Sequence, residues 1–394
     1  MGRFRFLTAG ESHGPGLTAI VEGVPFGLPL LDADINPDLA RRQGGYGRGG
    51  RMQIERDRVT IRSGVRHGRT LGSPIALWLE NKDWVNWQDK MAVAPVDGEI
   101  PAVTKPRPGH ADLAGMVKYG TDDLRNILER SSARETTARV AVGAIAKQLL
   151  AAVGVQIRSR SARIGPVDDD ADLDPLHPED WPWAAVDASP VRAASAPASA
   201  RMVEAIDQAT ADQTSLGGIF EVVAWGLPVG LGSHVHWDRK LDGRLAQAIV
   251  SINAVKGVEI GSAFDNTAKP GHAVHDEIAA SAEHGHTRLS NRAGGTEGGM
   301  TNGQPLVVRG ALKPIATLRR PLRTVDVRTG QAAQAHFERS DVCVVPAAGV
   351  IGEAMVAIVL ADALLEKFGG DSLAELHVNV AAFRATYAPA AARG

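Results

Sequence analysis

Four short polar runs hold the side chains that could do chemistry in this chain. In Gly10-Glu11-Ser12-His13-Gly14 a histidine sits between small residues, and an imidazole that titrates near neutrality suits general acid work. Arg41, Arg42, Arg48 and Arg51 thread through the glycines of Gly44-Gly45-Tyr46-Gly47-Arg48-Gly49-Gly50, four guanidiniums able to clamp phosphate or carboxylate. In Lys105-Pro106-Arg107-Pro108-Gly109-His110-Ala111-Asp112 two prolines stiffen a loop that presents Arg, His and Asp together, and rigid placement is what a titratable catalytic group needs. Arg339-Ser340-Asp341 completes the set, with Lys313-Pro314-Ile315-Ala316-Thr317 upstream. Each run also reads as an ordinary solvated turn, so none decides anything singly.

Arg130-Ser131-Ser132 adds a fifth feature at the start of a helical pattern. Free N–H groups, the positive dipole end and a guanidinium would converge there on an anion, although capping alone accounts for Ser132. The pairs His234-x-His236, His272-x-x-His275 and His284-x-His286 could chelate. No carboxylate or third histidine falls at a familiar zinc spacing, so no metal is expected.

The elements that hold these runs read as mixed. Residues 17–24, 59–62, 219–225 and 305–312 are rich in β-branched side chains and predict strands. Ser132 with Glu135 three residues on predicts a capping box, followed by a helix through Val140, Ile145 and Leu149. A second helix is expected from about 352 to 368, stopped by Gly369-Gly370. Residues 165–200, with five Asp between 168 and 174, read as a surface excursion or linker. Glu22 precedes Leu28-Pro29 as Glu221 precedes Leu227-Pro228, and helical then glycine-rich stretches follow both, a weak internal echo.

Composition narrows the classes. The 394 residues carry 44% apolar and 22% charged side chains and a net charge of −2, an ordinary globular balance that recruits neither nucleic acid nor an anionic membrane. Arg outnumbers Lys 33 to 10, which fits small anionic ligands and fits a GC-rich genome equally well. Cys343 stands alone, which excludes a disulfide framework within the chain. No apolar run reaches the roughly 20 residues of a membrane span, and residues 1–7 lack a signal-peptide stretch, so a soluble cytoplasmic protein is expected.

Taken together the runs resemble the chorismate synthase family. Ala9-Gly10-Glu11-Ser12-His13-Gly14, Gly45-Tyr-Gly-Arg-Gly49, Arg107-Pro-Gly-His-Ala-Asp112, Glu129-Arg-Ser-Ser-Ala-Arg-Glu-Thr136, Asn291-Arg-Ala-Gly-Gly, Gly298-Gly-Met-Thr-Asn-Gly303 and Arg339-Ser-Asp-Val-Cys343 appear in the family's order along nearly the whole chain. The resemblance implies an α+β fold: one layered sandwich domain over 1–394, sheets inside and helices outside, with internal pseudo-symmetry, assembled as a homotetramer. It implies a lyase that removes phosphate and a ring proton from 5-enolpyruvylshikimate 3-phosphate by anti-1,4-elimination. The product is chorismate, the cofactor reduced FMN, with NADPH as a possible flavin reductant. By position, His13 would donate a proton to the leaving phosphate, and His110 would protonate or hold the reduced flavin. Asp341 would help the flavin accept the ring proton, and Ser12 and Ser132 would support that network. Flavin contacts fall on Arg130, Ser131, Ser132, Asn253, Ala254, Gly298, Lys313, Pro314, Ile315, Ala316, Thr317 and Arg339, with a backbone contact expected at Asn253. Arg42 and Arg48 match arginines assigned to NADP and would also grip the substrate.

Two other classes fit parts of the pattern. A nucleic-acid binder would use the arginine loops, but the charge balance and only 18 aromatic residues weigh against it. A simple flavin reductase would share the cofactor and lack the elimination.

Overall fold

The structure is a computed structural model and describes residues 3–49, 56–281, 285–338 and 341–387. Two antiparallel sheets frame it. One has four strands in the order Arg5–Ala9, Gly16–Glu22, Ile75–Glu80, Val59–Ile61. Its inner face follows from alternation: Leu17, Ala19 and Val21, then Ile75, Leu77 and Leu79, are buried while Ile20 and Glu22 face outward. The other sheet has five strands in the order Val255–Ile260, Leu306–Leu312, Gly218–Trp225, Gln156–Ile164, Val167–Asp168.

Helices fill the space between. Thr136–Ala151 packs on strands Arg5–Ala9 and Gly16–Glu22 and on helix Val345–Phe368, which in turn lies on Gln156–Ile164 and Gly218–Trp225. A Cβ at Gly143 would collide with Ala354, so glycine lets these two helices meet at backbone distance. The α+β class and the layered plan are as expected, but the layers run sheet, helix, sheet, the reverse of sheets inside. Val345–Phe368 is apolar on every side and is buried at both its sheet-facing and helix-facing surfaces, which only an inner layer provides. Its 24 residues, with an 18-residue window of mean hydropathy 2.0, would suit a membrane span, contrary to the reading of the sequence, yet 89% of that window is buried inside the protein.

The internal echo is real, in a different register. Leaving aside the short strand Val167–Asp168, both sheets run first, second, fourth, third strand in chain order. In the first half Leu28 N donates to Thr70 Oγ1 at 2.9 Å and Thr70 Oγ1 donates to Pro25 O at 2.6 Å. In the second, Leu231 N donates to Thr301 Oγ1 at 2.9 Å and Thr301 Oγ1 to Pro228 O at 2.7 Å. Val24-Pro-Phe-Gly-Leu28 therefore matches Leu227-Pro-Val-Gly-Leu231, and Pro25, not Pro29, is the counterpart of Pro228.

Residues 165–200 do more than skirt the surface. Val167–Asp168 extends the second sheet, and Trp181, Trp183 and Val186 form a small core on its outer face with Val223 and Val307. At the centre of the molecule, buried Glu353 accepts from Arg41 Nη2 at 2.6 Å, Lys147 Nζ at 2.9 Å and Ser159 Oγ at 2.7 Å. This network docks helix Asp32–Gln43 against the inner layer and so fixes where Arg42, the next residue, points.

Candidate active site

A cleft of about 440 Å³ gathers residues from both halves of the chain, among them Ser12, His13, Arg42, Arg48, Arg107, His110, Ser132, Asn253, Lys313 and Asp341. Its two histidines are held alike. His13, 8% exposed, places Nδ1 at 2.9 Å from Glu129 Oε2, and its own backbone N–H donates to the same oxygen at 2.9 Å. Arg125 Nη1 holds the other oxygen of Glu129 at 2.8 Å. His110 Nδ1 meets Asp112 Oδ1, and Arg107 grips Asp112 Oδ2 through Nε at 2.8 Å and through its backbone N–H at 3.0 Å. Burial alone would raise both carboxyls. Hydrogen bonds and charge from His13 and Arg125 outweigh it at Glu129, and those from His110 and Arg107 outweigh it at Asp112, so both sit below the usual carboxylate range. Each imidazole thus has Nδ1 tied to an ionised carboxylate, which leaves proton exchange to Nε2.

Positive charge dominates the walls. Among the described residues Arg42, Arg48, Arg107, Arg134 and Lys313 line the cleft against Asp57, Glu338 and Asp341, five cations to three carboxylates. Arg42 is 5% exposed; Nε donates to Thr136 Oγ1 at 3.0 Å, Nη2 to Ala133 O at 2.8 Å, and Asp57 stands 3.7 Å from Nη1. Burial pulls its pKa down to about 10, Asp57 opposing, while Arg48 and Arg134 press in the same direction as burial. Burial, then Lys256, likewise lowers Lys313, whose Nζ donates to Gly109 O at 3.0 Å. Glu338 is pushed down to about 2 by its hydrogen bond from His336. Ser132 Oγ donates to Ser12 Oγ at 3.1 Å, which ties the His13 loop to the turn before helix Thr136–Ala151. Ala254 holds φ +68°, a left-handed backbone rare for alanine, in the cleft wall itself.

A sequence model of chorismate synthase matches residues 4–365. The chorismate synthase of Syntrophotalea carbinolica is 58% identical over 97% of this chain and 98% of its own length, and that of Streptomyces coelicolor 55% identical over the same shares. The chain belongs to the chorismate synthase family. A solved crystal structure of chorismate synthase agrees in fold, with a TM-score of 0.79 at 44% identity over 98% of each chain.

Most positions that the family resemblance singles out meet in this one cleft: Ser12, His13, Arg42, Arg48, His110, Ser131, Ser132, Asn253, Ala254, Lys313, Ile315, Ala316, Thr317 and Asp341. Pro314 lies between lining residues without lining the cleft itself. Gly298 is in the tight turn between Thr296–Glu297 and Met300–Thr301 and is not among the lining residues. Arg339, Ser340, Arg51 and His284 lie outside the described residues. Asn253 does use its side chain, donating Nδ2 to Ser131 O at 2.9 Å.

Arg130 and Ser131 do not open the long helix. They end a separate helix, Arg125–Ser131, and the Arg130 guanidinium is committed to Thr8 O and Gly10 O, both at 2.9 Å. The expected capping box also fails: Ser132 Oγ accepts from Arg134 N, while Glu135 turns to Thr8 and Arg139. Arg107 was already noted in its loop with His110 and Asp112, whereas Glu129, Asp57 and Arg134 were given no part in the candidate site. Glu129 does show one local signal, its place four residues after Arg125 on a helix. Among the described residues no group of three His, Cys, Asp or Glu is arranged for a metal, and His236 bonds Asp238.

Proposed function

We propose that this cleft carries out the anti-1,4-elimination of phosphate and a ring proton from 5-enolpyruvylshikimate 3-phosphate, giving chorismate, with reduced FMN bound beside the substrate. The carrying observation is the pair of histidines, each with Nδ1 fixed on an ionised carboxylate, in one cleft whose permanent charge is positive. The size falls in the range of small-molecule sites, about 300–1,000 Å³. The donor set suits two phosphate-bearing anions: Lys313 with the 315–317 backbone and Asn253–Ala254 would hold the flavin, and Arg42, Arg48 and Arg134 the substrate. Reduced FMN, when bound, supplies the transient electron donation that lets an allylic phosphate depart before a weakly acidic proton.

The chain's own residues do the rest. His13 would give a proton from Nε2 to the leaving phosphate, and the Glu129 carboxylate stabilises the imidazolium until it does. Arginine charge neutralises the departing anion; a carboxylate there would repel it. Asp341 therefore belongs to the other half of the reaction, taking up the ring proton. His110, fixed by Asp112 beside Gly109 and Lys313, would hold a proton toward the flavin end. Burial and three partners make Arg42 better suited to the substrate's field than to an open clamp for NADPH.

Anaerobic incubation with substrate and chemically reduced FMN, without NADPH, tests this. Chorismate formation supports the elimination. Flavin binding without chorismate would leave a flavin reductase and overturn it.

A further inference from the structure

Trp87 lies flat on the His13 imidazole, ring centroids 3.8 Å apart and planes 25° from parallel. The Arg125 guanidinium stands 5.1 Å from the centre of the same indole. Arg125 and His13 are the two side chains that grip Glu129. Indole, imidazole, carboxylate and guanidinium therefore close a ring of contacts.

The segment that carries Trp87 is anchored to the histidine loop. Asn81 Nδ2 donates to Gly14 O at 2.7 Å, and Asn81 N to Pro15 O at 3.0 Å. The short 3-10 helix Lys82–Asn86, capped by Asn81, then turns the chain back over His13. The indole N–H donates to Asp83 Oδ2 at 2.9 Å, which fixes the ring plane.

A hydrogen bond at Nδ1 fixes one point of an imidazole and leaves the ring able to swing about that contact. A flat aromatic face removes the swing. Proton transfer depends steeply on such alignment.

We infer that Trp87 is a positioning residue for proton transfer at His13, holding the imidazole plane so that Nε2 addresses the leaving group. The inference rests on His13 acting as the acid. Trp87→Ala should lower kcat about tenfold, equivalent to about 1.4 kcal/mol of barrier, with substrate KM and FMN affinity within about twofold. Trp87→Phe should keep most of the rate, since the flat face remains. In a His13→Ala background, Trp87→Ala should cost nothing further, because a group that acts through another has no effect once that other is gone.

Wild-type kcat in Trp87→Ala beside a crippled His13→Ala overturns the inference alone. So does a loss that adds in full on His13→Ala or that phenylalanine fails to rescue, since either marks a merely structural tryptophan. Full activity in His13→Ala overturns the acid assignment, and the inference with it.

Discussion

Arg48 Nη1 stands 3.4 Å from Asp341 Oδ2, and the Gly49 amide donates to Asp341 Oδ1 at 2.6 Å. The glycine-rich loop thus brings both a guanidinium and a backbone donor to the carboxylate proposed above to take up the ring proton. Arg48 reaches Asp341 from the other end of the chain.

Asp341→Asn keeps the shape and removes the basic oxygen. Turnover should fall, with FMN and substrate affinity near normal, and the kinetic isotope effect on the departing hydrogen should grow. Stopped-flow chorismate formation with deuterated substrate checks it. Weakened flavin binding with an unchanged isotope effect would return Asp341 to a purely structural part.

His13→Ala and His110→Ala should each lower turnover by about 10²–10⁴-fold while the fold survives. Their carboxylates should matter nearly as much. Asp112→Asn and Glu129→Gln retain an acceptor near Nδ1 but lose the charge that stabilises an imidazolium, so a loss of about 10²-fold in kcat is expected for each. Steady-state kinetics with circular dichroism on the same samples decides it. Either amide variant turning over at the wild-type rate sinks the paired-carboxylate account.

The candidates for this site were named by an ordered set of motifs, and its geometry was not. His13, His110 and Asp341 stand out only through the ordered set of runs that resembles one family, since each run alone also reads as a solvated turn. Glu129 meets His13 across 116 positions, a contact no local spacing encodes. Strands such as Gly16–Glu22 and Leu306–Leu312 came close to expectation because one-face or continuous burial leaves a short-range pattern. Helix Val345–Phe368 begins earlier than expected because Val342-Cys343-Val344-Val345 reads as strand; Pro346 in the first turn was the available cue. The layer order escaped because a helix apolar all round says that it is buried and not between what.

The threonines at the pseudo-symmetric turns make a matched test. Thr70 and Thr301 are buried, and each hydroxyl both accepts from a leucine amide and donates to a proline carbonyl. Thr70→Val and Thr301→Val leave a buried donor and a buried acceptor without partners, at about 1–3 kcal/mol each. The two turns lie in separate halves, so the double variant should lose the sum. Urea denaturation measures this, and a neutral result at one turn only would show that the two are not equivalent.

Glu353 should govern part of the acid limit of stability. Burial opposes its ionisation, but the charges of Lys147 and Arg41 prevail and hold its folded pKa well below the usual range. A depressed pKa makes the ionised form the stabilising one. Its contribution is therefore complete above the unfolded value of about 4.3 and drains away as pH falls from there toward the folded value. Glu353→Gln removes the charge while Arg41 and Lys147, both partly buried, keep Asp38 as their remaining acid, so the loss at pH 7 falls below the about 3–5 kcal/mol of a fully unpaired buried charge. Below about pH 4 unfolding lets Glu353 take up a proton that the folded state does not hold, so falling pH favours unfolding of the wild type and its advantage over the variant should narrow. Denaturation midpoints for both proteins at pH 7 and pH 3.5 give the comparison. A gap that stays constant across that interval means that Glu353 stabilises by packing, not by charge.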